Sequence, residues 1–464
     1  MSKFTRRLTL TLAAATALAS AATPLVAQDF AVTGATVATG DARDRVGPGT
    51  VVVRSGRIVA VGPDVAVPAG VTVIDGTGMW ITPGLFAPLT DLGLFDVGGV
   101  QESNDRAARN STFSAALDYS VAVNPINQHI MTSRAGGVTR ASVVGYPAGS
   151  IFAGQGALID LGADPDVVTR ARAFQMIAIG ETGARLAGGS RVAVHALLRN
   201  ALREAREFGD RAQIAGSASR PAEIRRGDDL PLDPRLVDDL AERGDDVELS
   251  RFDAAALRPV VQGTQPLYVV ADRSADILQA LALRQEFPKL DLVLVGAAEG
   301  WMVADRIAAA GVPVIAPPLI DLPERFEQLA ATQSNIGRMV DAGVTVALGP
   351  FMDMEQPRNA PQYAGNLVGL QNVPGATGLT WSEAFAAITS VPAQISGMGG
   401  QAGVLAPGAL GDVVIWDGDP LEVSSTPVRV FVDGVEQPLT NHQTRLRERY
   451  RDLDEQTLPK AYSH

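Results

Sequence analysis

The chain of 464 residues contains no cysteine. Disulfides, thiolate metal sites and cysteine nucleophiles are therefore excluded. Histidine is nearly as scarce, with four in the whole chain, so the usual catalytic base and zinc ligand is in short supply. Aromatic residues make up 5%, which argues against a carbohydrate groove lined by stacked rings. Positive charge is in deficit: the formal net charge is −12. This acidic balance argues against nucleic acid as a partner, because phosphate backbones require clustered Lys and Arg. Beyond the first residues no apolar run is long enough to span a bilayer. Gly397-Met398-Gly399-Gly400 is not followed by Lys-Ser/Thr and is no phosphate loop. No Gly-x-Ser-x-Gly elbow occurs, so a serine hydrolase has no support.

What is present describes a buried, globular protein. Hydrophobic residues make up 46% and charged residues 19%, and the length accommodates a large barrel plus a satellite. The N-terminus reads as a signal peptide over residues 1–27. Lys3, Arg6 and Arg7 precede an apolar run from Leu8 to Ala22, and Pro24-Leu25-Val26-Ala27 offers a cleavage site. The Arg6-Arg7 pair has Thr9 where twin-arginine export prefers an aromatic, which favours the general secretory route. The expected location is the periplasm or the exterior.

From Asp29 to Trp80 the text is short strands and turns, with Thr50 to Val53 and Arg57 to Val61 flanking the hairpin signal Ser55-Gly56. Downstream, strand-like and helix-like text alternates, which signals a parallel α/β barrel. Strands are expected around Val138 to Val144, Gly154 to Leu161, Pro266 to Ala271, Leu290 to Val295, Val312 to Ala316 and Val344 to Leu348. Helices are expected over Val192 to Phe208, Ala275 to Glu286, Trp301 to Ala310, Glu324 to Ala342 and Trp381 to Ile395. Gly209 to Asp253 reads as a charge-rich surface excursion, and Gln443 to Gln456 as a charged tail helix.

Two stretches at opposite ends carry a family resemblance. Ile81-Thr82-Pro83-Gly84-Leu85 through Asp91 resembles the first barrel strand of the amidohydrolase superfamily, Thr-Pro-Gly-Leu-Ile-Asp-x-His-x-His. Gly403-x-Leu405-x-Pro407-Gly408 and Gly411-Asp412-Val413-Val414-Ile415-Trp416-Asp417-Gly418-Asp419-Pro420 resemble its C-terminal strands. The chain is most similar to the exported, imidazolonepropionase-like branch. The resemblance implies an α/β fold: a TIM-like (β/α)8 barrel over 81–402, with a composite β-sandwich from 29–80 and 403–439. Residues 440–464 would be the tail.

The resemblance also implies hydrolysis of non-peptide carbon–nitrogen bonds by zinc or another divalent metal held at strand ends. Here the histidines are replaced. Strand one offers Leu89 and Asp91. Relatives often carry a lysine where Asp160 stands. Where they read Val-His-Ala-His-Arg, this chain reads Val269-Val270-Ala271-Asp272-Arg273. Gly296 follows Val295 on strand six, with Glu299 nearby, and Phe351 takes the place of the strand-eight general base, with Asp353 beyond. His129 and His195 fall in helical text, and His442 and His464 in the tail. The expectation is a pocket lined by Leu89, Asp91, Asp160, Val270, Asp272, Gly296 and Phe351, with no cofactor. Such a protein would be a non-catalytic subunit, forming a hetero-oligomer with an active relative, or a small-molecule binder. The alternative is an active hydrolase whose site is Asp91, Asp272, Glu299 and Asp353, either holding Ca²⁺ or Mg²⁺ or acting as an acid/base pair.

Overall fold

The computed structural model describes residues 27–43, 45–218, 249–352 and 356–451. The expected leader, apart from Ala27, falls outside these residues, as do Asp353 and His464. The chain opens with strands β1 (Phe30–Val37), β2 (Val46–Arg54), β3 (Arg57–Gly62), β4 (Thr72–Asp75) and β5 (Trp80–Pro83). Ser55 and Gly56 both take positive φ, the geometry that lets a two-residue hairpin follow the strand twist. Eight strands then build the barrel: β6 (Leu85–Thr90), β7 (Val138–Val143), β8 (Phe152–Asp160), β9 (Val168–Ala178), β10 (Leu267–Ala271), β11 (Leu292–Gly296), β12 (Val314–Ala316) and β13 (Val346–Leu348). Strands β14 (Val413–Trp416), β15 (Pro427–Val432) and β16 (Val435–Glu436) return to the first group.

The two ends of the chain form one eight-stranded sheet, in which β5 pairs antiparallel with β14 through Ile81–Ile415. Its two layers belong to this single sheet, which folds on itself. Phe30 of β1 stacks on Phe431 of β15 with ring centroids 4.2 Å apart, and Val51, Ile58, Ile81 and Val413 fill the space between the layers. Ile81 to Pro83, expected at the start of the barrel, is the last N-terminal strand of this sheet. The barrel begins at Leu85, across Gly84. A Cβ at Gly84 would lie 2.0 Å from Thr139 Oγ1, so only glycine lets the chain cross from one sheet to the other there.

The barrel is nearly closed. Its order runs β6 to β13, and a parallel bridge between Thr90 and Phe351 joins the two edges. All neighbours are parallel except β8, which runs antiparallel to both β7 and β9. Continuous apolar text here hides a period of two, because both faces of each strand are covered. Tyr268, Val293, Val295, Ile315 and Ala347 point into the barrel, where Tyr268 stacks on Phe174 at 4.3 Å. Val269, Leu292, Leu294, Val314 and Val346 point out to the helices.

Several helices depart from expectation. The helix expected from Val192 runs Arg191–Ala218, ten residues past Phe208. A second helix, Arg251–Gln262, begins within the supposed excursion, capped by Ser250 and ended by Gly263 in the left-handed conformation. Trp381 to Ile395 is two helices, Trp381–Ala386 and Ser390–Ile395. They break at Thr389, whose hydroxyl donates to the Phe385 carbonyl at 2.6 Å, ahead of Pro392. Of Glu324 to Ala342, only Asn335–Asp341 is α-helix. The preceding stretch is a loop holding one short turn, Phe326–Gln328, because its side chains bind other elements. The tail helix is His442–Tyr450.

Candidate functional site at the barrel mouth

The C-terminal ends of the parallel strands define the mouth, where barrel enzymes place their chemistry. On β6, Leu89 takes a positive φ of 51°. Its N–H donates to Ser142 Oγ at 2.8 Å, and its carbonyl accepts from the Phe351 N–H at 3.0 Å. The Leu89 side chain fills the barrel interior. Asp91 is buried just beyond. Its carboxylate lies 3.2 Å from the Arg106 guanidinium and accepts from the Tyr146 hydroxyl at 3.4 Å. Arg106 lies over the Phe95 ring at 4.0 Å, and Phe95 stacks on His129 at 4.6 Å.

His129, expected only as part of helical text, lies on the helix Gln128–Ala135. Its Nε2 is buried without a partner, and its ring borders a cavity of about 10 Å³ that also touches Asp91. That volume is close to what one water molecule needs.

A second group forms on β10 and β11. Asp272 Oδ1 accepts from the Ala298 N–H at 3.2 Å and Oδ2 from Gln328 Nε2 at 3.1 Å. Burial foremost pushes the Asp272 carboxyl above its ordinary range, the neighbouring Glu299 adds to the rise, and the two hydrogen bonds oppose it. Glu299 accepts from Ser274 N–H and Oγ and from the Ala330 N–H, at 3.0 to 3.2 Å. Gly296 has a packing role: a Cβ there would lie 2.4 Å from Asp272 Oδ1. Glu327, on the covering loop, accepts from the Glu181 N–H at 2.6 Å and lies 3.4 Å from Arg191. Burial raises its carboxyl as well. No hydrogen bond or ion pair joins the Asp91 group to the Asp272 group among the described residues.

Of the positions expected to share a pocket, Leu89, Asp91, Val270, Asp272 and Gly296 belong to the mouth or the barrel interior, with Glu299 beside them. Two do not. Because β8 is antiparallel, Asp160 at its C-terminal end sits at the opposite end of the barrel, 4.0 Å from Arg140 near the start of β7. Phe351 turns outward, packs with the helix layer and lies 6.3 Å from the Tyr363 ring, while Met352 takes the inward position. Asp353 lies outside the described residues. Arg106, Tyr146, Gln328 and Glu327 went unnoticed in the sequence, where no motif marks them, and His129 was placed only in helical text.

The described mouth residues do not fit a divalent cation. Such an ion needs several converging oxygen or nitrogen ligands. Leu89, Val270, Gly296 and Met352 offer none from their side chains, and the two aspartates are engaged by Arg106 and Gln328. Among the described residues no three His, Asp or Glu side chains converge.

Beside the mouth lies a larger cavity of about 240 Å³, reached past Tyr146. Hydroxyls of Ser111, Thr112, Ser114 and Ser150 line it together with apolar Phe113 and Leu197. Asp253, at its floor, is fully engaged by the N–H groups of Ser114 and Ala116 and by Ser250 Oγ, at 2.7 to 2.9 Å. Among the described residues no helix is long and apolar enough to cross a membrane.

Residues 270–436 match the model of the amidohydrolase family. The chain is 25% identical over 439 residues to the amidohydrolase tasK of Hapsidospora irregularis, covering 86% of this chain and 41% of the relative. It thus spans about two fifths of that protein's length. Among solved structures it resembles an amidohydrolase from Thermotoga maritima MSB8, with a TM-score of 0.73 and 22% identity over 88% of this chain and 99% of the other. The fold is that of this amidohydrolase structure. The chain is thus similar to an amidohydrolase in fold over most of its length and to the amidohydrolase family in sequence over residues 270–436.

Proposed function

We propose that this protein lacks the family's metal-dependent hydrolysis and works by binding. It would act in the periplasm or outside the cell, as a small-molecule binder or as a non-catalytic subunit beside an active relative. One observation carries this reading: at the mouth, Asp91 and Asp272 are each engaged internally, and among the described residues no three His, Asp or Glu side chains converge there. The cavity beside Tyr146 supplies a place for a ligand. Its hydroxyls and apolar wall suit a small neutral molecule bearing carbonyl groups, such as an N-acylated or cyclic amide.

The test joins metal analysis of the mature protein, purified without chelators, to thermal melting against a panel of N-acyl amino acids and cyclic amides. The expected result is no stoichiometric zinc, iron or manganese, and a melting shift with some compounds but no turnover. Near-stoichiometric metal with chelator-sensitive hydrolysis would overturn it.

A second reading has one observation in its favour: buried Asp272, with its raised proton affinity, stands beside Glu299 as an acid/base pair would. Metal-independent hydrolysis abolished by Asp272→Asn, with the fold retained, would replace the binding reading with that one.

A further inference from the structure

Large apolar side chains stand out of the loop that covers the mouth. Leu322 is 77% exposed, Phe326 84% and Leu329 67%, with Met302 at 52% and Val192 at 79% beside them. Side-chain contacts tie the segments that carry them to one another. Trp301 Nε1 donates to the Ala330 carbonyl at 2.8 Å, which holds Met302 near Leu329. Arg191 reaches Glu327 at 3.4 Å, which holds Val192 near Phe326. The loop beneath is fastened through Glu327 to Glu181, Gln328 to Asp272 and Ala330 to Glu299. The apolar groups therefore ride on an anchored base. Single exposed apolar residues are ordinary, but a contiguous group rimmed by charge marks an interaction surface.

The charges on this loop indicate what covers it. Asp321 and Glu324 are exposed and have no ion-pair partner among the described residues, and Arg325, next to Glu324, is half exposed and lies 3.8 Å from Glu327. One short segment thus carries both signs beside its own apolar groups. A two-fold axis brings a patch against itself, so it needs this kind of self-complementarity. We propose that the occupant is a second copy of this chain, seated about a two-fold axis. Phe326 and Leu322 of one copy would pack on the same loop of the other, with Arg325 facing the partner's acidic pair. Pairing would close both mouths.

The test is sedimentation velocity of the mature chain at low micromolar concentration. The expected species is a dimer. Phe326→Asp with Leu329→Asp should give a monomer with unchanged melting temperature, since both side chains are exposed. Arg325→Glu should weaken the dimer at least tenfold, and adding Glu324→Arg should recover most of that loss. A wild-type monomer, or a dimer indifferent to the double substitution, overturns the proposal. So does a chain that assembles only with a different protein through this loop. The readout is oligomeric state, so it stands or falls apart from metal content and hydrolysis.

Discussion

The two ends of the barrel hold buried charge in opposite ways. At the N-terminal end Arg140, only 4% exposed, serves several acids at once. It lies 2.7 Å from Asp412 and 2.6 Å from Asp433, with Asp160 at 4.0 Å. Asp412 and Asp433 belong to the composite sheet, so one guanidinium fastens barrel to sheet. At the mouth each carboxylate has its own partners. Asp91 has Arg106 and Tyr146, Asp272 has Gln328 and a backbone N–H, and Glu299 has donors from the helix start at Ser274 and from the covering loop. The first arrangement is a shared centre that fails as a whole. The second is a set of separable contacts, each removable with little effect on the others.

The largest effect should come from the shared centre. Arg140→Met leaves buried Asp412 without its guanidinium partner, beside the half-exposed Asp433, and should cost about 3–5 kcal/mol in urea denaturation. A loss below about 1 kcal/mol would mean that solvent already compensates those acids. At the mouth, Gln328→Ala removes one donor to Asp272 and should cost about 1–2 kcal/mol by the same assay. A cost as large as that of Arg140→Met would show that the covering loop and the barrel form one unit.

The smallest effect is a change of slope. Burial foremost pushes the Asp160 carboxyl up to about 6 from its ordinary 3.8. The folded chain therefore holds this proton more tightly than the unfolded chain does. The stability Asp160 contributes is fully present below about pH 4 and is lost as pH rises through about 6. Asp160→Asn should remove that loss, so its stability relative to wild type should climb across the same window. A constant difference would place the titration elsewhere.

Much of this fold was legible. Strands β10 to β13 announced themselves as short Val-, Ile- and Leu-rich runs set off by helical text, and the composite sheet by matching motifs at the two ends. Strand direction was not legible. An apolar run reads the same whether it goes up or down the barrel, so Asp160 was expected at the mouth and stands at the other end. Strand β9 was passed over because Arg170 and Arg172 interrupt its first half. Phe351 shows the cost of one residue of register, since such a slip turns a side chain to the opposite face. The partners of the mouth carboxylates were invisible for a different reason. Arg106, Tyr146 and Gln328 sit in irregular segments, and only the closed barrel brings them to Asp91 and Asp272.

The pairing of β5 with β14 has a consequence for the order of events in synthesis. Ile81 leaves the ribosome long before Ile415, its partner. At ordinary elongation rates that gap is on the order of tens of seconds. Through that interval β5 and its neighbour β1 form an open strand edge of apolar residues, able to pair with any extended chain. Contacts so distant in sequence also slow folding. The nascent chain therefore carries an aggregation-prone edge until its last strands arrive, and truncation before Val413 should yield aggregates rather than a smaller folded protein.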